Sequence, residues 1–212
     1  MTTRPTFTTI LLVRHGTTAT TGTVLPGRAP GLHLSEKGIA QANALSERLS
    51  DLGRKPAAIY VSPLERARET AAPLAKILRL RPVVERGLLE CDFGSWTGKK
   101  LSVLSRRSEW RAVQHAPSTF RFPEGESFSE MQQRIWATIE RLAKRHRNKT
   151  VIVVSHADPI KAAVTYAQGV PLDLFQRTVI SPCSLSAIAF TNSTPVVLCV
   201  NNTGSLKDLS PS

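Results

Sequence analysis

The stretch Leu11-Leu12-Val13-Arg14-His15-Gly16-Thr17-Thr18 decides how this 212-residue chain is read. An apolar run from Ile10 to Val13 ends on Arg-His-Gly. A strand covered on both faces reads this way: short, continuous, and closed by a turn residue, here Gly16. Arg14 and His15 are therefore placed at the carboxyl end of a central strand, where open α/β sheets bind ligands. A histidine there can act as nucleophile or base. An adjacent arginine can grip a phosphate or carboxylate through two N–H groups. A satisfied structural histidine is the competing reading, and the tripeptide alone does not decide between them.

Outward from this strand, helices and strands alternate. Thr20 to His33 is a turn-rich loop with Gly22, Pro26, Gly27, Pro30 and Gly31, and it borders the strand end. Ser35 caps a helix whose inward stripe is Ile39, Ala42, Leu45, Leu49 and Leu52, closed by Gly53. A second strand, Ala57 to Val61, runs into Ser62-Pro63-Leu64-Glu65-Arg66-Ala67-Arg68-Glu69-Thr70 and a helix to about Leu78. Pro82 to Val84 is a third strand, and Leu88 to Gly98 is a loop. Ser127 and Glu130 form a capping box for a long helix that carries Met131, Ile135, Ile139 and Leu142 inward. Val151 to Val154 is a fourth strand, ending on Ser155-His156-Ala157-Asp158-Pro159, and a helix follows to Gly169. Leu185 to Phe190 and Val196 to Val200 complete the sheet, and about 203–212 is a polar tail. The alternation predicts one α/β domain over 1–212 with a mostly parallel sheet. Three strands end in chemically loaded sequence, which such a sheet can bring to one edge.

The segment from about 99 to 126 is basic and irregular. Its position allows it to cover the strand ends as a lid. On that reading Arg106, Arg107, Arg111 and Arg121 attract an acidic substrate, while Trp110, Phe120 and Phe122 cover its apolar or sugar face. The alternative is solvated arginines and aromatics packed on the core.

Lys and Arg total 28 against 16 Asp and Glu, a net charge of +12. This favours an anionic partner. The bases are scattered rather than gathered on one helix, and no aromatic stacking motif accompanies them, so no nucleic-acid partner is expected. No apolar run approaches the ~20 residues of a membrane span, and the opening residues lack a signal-peptide apolar region. A cytoplasmic protein with no membrane partner is expected. Cys91, Cys183 and Cys199 form no C-x-x-C pair, so neither a disulfide framework nor a metal site is indicated. Cys183 and Cys199 read as small buried hydrophobes in strand-like runs.

Taken in order, Arg14-His15-Gly16, Ser62-Pro63-Leu64-x-Arg66-Ala67-x-x-Thr70, Leu88-x-Glu90-x-x-Phe93-Gly94 and Val154-Ser155-His156 resemble the histidine phosphatase superfamily, or phosphoglycerate mutase-like family. The resemblance spans about residues 8–170 and is closest to the bacterial phosphatase and phosphomutase-like branch. Smaller matches are Gly27-Arg28, Leu34 to Gly38 with Gln41-Ala42, and Gly125-Glu126-Ser127. It implies a three-layer α/β/α sandwich and a phosphatase working without metal or cofactor on a small organic phosphate monoester. His15 is then the nucleophile that becomes phosphorylated, and Arg14, Arg66 and His156 form the phosphate pocket. Glu90 is the proton donor, and Thr21, Arg28 and Ala157 complete the substrate-binding set. A small phosphorylated metabolite is the implied partner, and a homodimer is allowed. A phosphomutase, or an idle phosphate-binding scaffold protein, stands as the alternative.

The chemistry agrees. Arginines and a protonatable histidine offset the charge of a phosphate dianion. A neutral imidazole is nucleophilic near neutral pH, and a poor alkoxide leaving group needs a proton from a carboxylic acid. Three departures stand out, the first being Thr17 where the family often has Glu or Gln. Thr21 occupies a position where the family often has Asn. Ala157-Asp158 replaces a pair of glycines, putting an acid beside the pocket that either raises the pKa of His156 or contacts substrate.

Overall fold

The computed structural model describes residues 7–204 apart from 51, 53 and 54, so the expected Gly53 helix stop and most of the polar tail lie outside the described residues. Six strands, β1 (Thr8–Arg14), β2 (Ala58–Val61), β3 (Val83–Val84), β4 (Thr150–Ser155), β5 (Leu185–Phe190) and β6 (Pro195–Asn202), form one sheet in the order β3-β2-β4-β1-β5-β6. The pairs β1–β4, β2–β4 and β2–β3 are parallel, and the β5 and β6 pairings are antiparallel.

Successive strand residues point to opposite faces, and both faces are covered. Leu11 and Val13 pack under α1 (Glu36–Ser50) and α2 (Glu65–Leu78), with Leu45, Leu49, Ala71 and Leu74. Ile10 and Leu12 face the other way, under α5 (Phe128–Arg145) and α6 (Ala157–Ala167), with Met131, Ile135 and Ile160. The expected mostly parallel three-layer sandwich is what forms. Burial on both faces is why β1 is a continuous apolar run.

The α5 capping box forms: Ser127 Oγ accepts from Glu130 N–H at 3.1 Å, and Glu130 Oε2 accepts from Ser127 N–H at 2.9 Å. At α1 the expected stripe is only partly inward. Ala42, Leu45 and Leu49 are buried, but Ile39 is 52% exposed. Cys183 is buried as expected but sits in a turn before β5 with φ 54°, not in a strand. Cys199 lies in β6.

The segment 99–122 holds two short helices, α3 (Leu101–Leu104) and α4 (Trp110–His115), and a 3-10 turn over Pro117–Thr119. Its aromatics do not cover a substrate face. Trp110 stacks on buried Trp96, and Phe120, Phe122 and Phe128 form a chain with ring centroids 5.0 Å and 5.1 Å apart. The core cluster under α5 has room for them, and burying them removes large apolar area from water. Phe122→Ala is expected to lower unfolding stability by about 3–5 kcal/mol, measured by denaturant titration. A change under about 1 kcal/mol would contradict a core role. Arg106, Arg107, Arg111 and Arg121 remain exposed, with Arg107 over the Trp96 ring and Arg121 paired with Glu130.

Candidate active site

The sheet register explains the meeting of distant residues. Arg14 pairs with Ser155, and Val61 and Val13 both flank Val154. One step further along each strand come His15, His156 and Ser62, all at the carboxyl edge. His15 N–H donates to the Ser155 carbonyl at 3.0 Å, locking the two loaded strand ends together. Gly16 lets the chain pass close against the first turn of α1: a Cβ there would stand 2.7 Å from the Gly38 carbonyl oxygen. Its N–H donates to Thr70 Oγ1 at 3.0 Å.

His15 is 5% exposed. Its Nδ1 lies 2.8 Å from the Gly16 carbonyl oxygen, which can only accept, so Nδ1 carries the proton and Nε2 the lone pair. Arg66 Nε reaches that Nε2 at 3.3 Å. Burial lowers the His15 pKa to about 3, with the positive charges of Arg66 and Arg14 adding to the effect. The imidazole is therefore neutral and nucleophilic at any physiological pH.

Arg66 is fully buried, not the surface cation that a position near a helix start usually holds. Its Nη2 donates to the Gly27 carbonyl at 2.8 Å. Arg14 donates through Nη1 to the Ile180 carbonyl at 2.6 Å. His156 occupies the N-cap position of α6, with its ring centroid 5.2 Å from that of His15 and its Nε2 2.8 Å from Ser62 Oγ. Burial, with Arg66 next, lowers the His156 pKa, so Asp158 does not raise it. Arg14 Nε, Arg66 Nη1 and His156 Nδ1 are buried, with no hydrogen-bond partner among the described residues. Buried polar atoms are normally satisfied. Three potential donors left open on the residues beside His15 suit the oxygens of a phosphoryl group.

Glu90 is 6% exposed and accepts from Cys91 N–H at 2.9 Å. Burial and the charge of Asp158 raise its pKa to about 7, against the opposing pull of the Cys91 N–H, Arg66 and Arg14. A carboxyl so poised can give and retake a proton near neutral pH.

The weaker expectations divide. Ala157 opens α6 beside His156. The Thr21 hydroxyl is engaged inside its own turn, accepting from Thr18 N–H at 2.8 Å. Arg28, expected to bind substrate, is engaged within the protein by the Glu90 loop and its neighbours. Its Nε donates to the Glu90 carbonyl at 2.9 Å, and its Nη1 and Nη2 meet the carboxylates of Asp92 and Glu126 at 3.3 and 2.8 Å. Two acidic side chains within reach hold the guanidinium as a brace of the Glu90 loop. Sequence reasoning passed over Ser62, Thr70 and Ser155, whose Oγ donates to the Leu88 carbonyl at 2.8 Å. All three lie inside the quoted motifs, which was the available signal.

The histidine phosphatase superfamily (branch 1) profile matches residues 10–203. The chain belongs to this superfamily. Phosphoserine phosphatase 1 of Hydrogenobacter thermophilus is 32% identical over 199 residues, 92% of each chain. The metal-independent phosphoserine phosphatase of Arabidopsis thaliana is 35% identical over 162 residues, 73% of this chain and 66% of its own. Among solved structures, Bacillus stearothermophilus YhfR superposes with a TM-score of 0.82 at 28% identity, covering 96% of this chain and 100% of its own. As a histidine phosphatase, the chain is an enzyme of phosphoryl transfer. No described helix is long and apolar enough to cross a membrane.

Proposed function

We propose that this histidine phosphatase hydrolyses a small organic phosphate monoester, without metal, through a phosphohistidine on His15. The observation that carries the reading is the His15 Nε2 lone pair met by Arg66 Nε at 3.3 Å, with Arg14 Nε, Arg66 Nη1 and His156 Nδ1 buried and without a partner among the described residues. In the first step His15 Nε2 attacks phosphorus, the ester P–O bond breaks, and Glu90 gives its proton to the leaving alkoxide. The Gly16 carbonyl steadies the Nδ1–H as positive charge develops on the ring. Arg14, Arg66 and His156 hold the equatorial oxygens. In the second step the Glu90 carboxylate takes a proton from water, which displaces His15 and releases inorganic phosphate. Two relatives are named phosphoserine phosphatases, so phosphoserine is the first substrate to try. Three free cysteines suit the reducing conditions of the cytoplasm, where we place the protein.

The test is a screen of phosphorylated metabolites that scores phosphate release and phosphoryl transfer separately. Phosphate release is expected to dominate, to survive chelator unchanged and to be inhibited by vanadate, a mimic of pentacoordinate phosphorus. Activity restored only by added magnesium or zinc would overturn the reading. Transfer to a second hydroxyl exceeding release would make the enzyme a mutase.

A further inference from the structure

A proton donor works only if its carboxyl lies within hydrogen-bond reach of the leaving oxygen. The Glu90 side chain is held within the described residues by its own neighbour, Cys91 N–H, at 2.9 Å. Its placement therefore depends on where the main chain of residues 87–92 runs. That main chain is gripped from outside the site. Arg134, on α5, donates through Nη1 to the carbonyls of Gly87 and Leu89, both at 2.9 Å, and through Nη2 to that of Glu90 at 3.3 Å. Arg28 reaches the same Glu90 carbonyl from the opposite loop at 2.9 Å.

Glu126 joins the two arginines. Its carboxylate takes a two-pronged contact from Arg134 at 2.7 and 2.9 Å, a third from Arg28 at 2.8 Å, and the Asp92 N–H at 3.0 Å. Burial pushes its pKa up, but Arg134, the Asp92 N–H and Arg28 outweigh that and keep it ionised. Gly125 makes the approach possible: a Cβ there would stand 2.3 Å from the Asp92 carbonyl oxygen, where Glu126 N–H now donates at 2.9 Å. The cluster ties α5, the 20–33 loop and the Glu90 loop together, and neither Glu126 nor Arg134 is among the residues assigned to the phosphate or the substrate. A fork of five N–H groups can span three carbonyls and a carboxylate at once, and a lysine cannot.

We propose that Glu126 and Arg134 are positioning residues for proton transfer, fixing the Glu90 carboxyl relative to His15 through the main chain of Gly87, Leu89 and Glu90. This rests on Glu90 being the proton donor. A purely structural ion pair would change stability and act on all substrates alike. A positioning pair acts on the leaving group.

The experiment compares single-turnover phosphorylation of the full chain by glycerol 2-phosphate, whose alkoxide needs a proton, and by p-nitrophenyl phosphate, whose phenolate does not. Glu126→Gln keeps the side chain's size, and Arg134→Lys keeps its charge. Displacing a catalytic group slightly costs on the order of a hundredfold, so each is expected to slow the alkyl substrate ten- to hundredfold while leaving the aryl substrate within about twofold. Thermal unfolding identifies the folded variants, and either one that folds decides the matter. Equal losses on both substrates, no loss on either, or failure of both variants to fold would overturn the proposal. Glu90→Gln is run alongside. If it too shows no difference between the substrates, the donor assignment fails; if it does while Glu126→Gln and Arg134→Lys do not, only the positioning role fails.

Discussion

His15→Ala is expected to abolish turnover on every phosphate ester, by roughly 10⁴-fold or more, because nucleophile removal leaves only binding and charge stabilisation. No second group stands ready to replace it. His156 is the nearest imidazole, but its Nε2 is engaged with Ser62 and its ring meets His15 edge-on. Rapid acid-free quenching of wild type with labelled substrate should trap a phosphoprotein stable to base and labile to acid, and the variant should yield none. Its thermal unfolding should stay close to wild type, since β1 keeps its pairing with β4 and β5 through the backbone. With the His15 pKa lowered to about 3, the nucleophile is neutral above that value. The rate should therefore show no acid limb from His15 between pH 5 and 8. Measurable phosphoenzyme in His15→Ala would remove the central step of the mechanism.

Glu90→Gln is expected to slow transfer from alkyl phosphates by about 10²–10⁴-fold, the usual contribution of general acid catalysis, and to spare transfer from p-nitrophenyl phosphate. The pH dependence gives an independent reading. Burial and Asp158 raise the Glu90 pKa to about 7, so the donor is protonated below that pH and spent above it. Single-turnover rates on an alkyl phosphate should be level on the acid side and fall as pH rises through 7, approaching tenfold per pH unit. Aryl phosphate rates should lack that fall. Asp158→Asn removes a negative charge that favours the protonated carboxyl, so it should move the falling limb to lower pH. A limb that appears on both substrates, or one that Asp158→Asn moves upward, would assign the titration to another group.

The strands and helices were legible because burial imposes a period on neighbouring residues. Ile10 to Val13 is apolar at every position, and its shortness and closing Gly16 fit a strand covered on both faces. Met131, Ile135, Ile139 and Leu142 recur at helical spacing and are all buried. The candidate site was legible for a different reason. It is the resemblance to the histidine phosphatase motifs that singles out Arg14, His15, Arg66 and His156 at strand and helix ends and Glu90 in a loop, and these are residue types that phosphoryl chemistry needs.

What a side chain does when partners from far along the chain compete for it was not legible. Arg28 was open to a phosphate, but Asp92 and Glu126 approach it across 64 and 98 residues of sequence once the loops close. Trp110, Phe120 and Phe122 could have faced a substrate, and only the packing of Trp96 and Phe128 shows that they face inward. Arg134 lies outside the quoted motifs and becomes meaningful only when three carbonyls of another segment converge on it. Sequence alone determined the alternating strands and helices, the strand ends and, through the motifs it shares with the family, the candidate reactive groups, because each depends on short-range pattern and chemical type. The tertiary structure decided the His15 tautomer, the burial of Arg66, the pKa of Glu90 and the bracing of its loop. Each of these depends on distances between segments that sequence spacing does not contain.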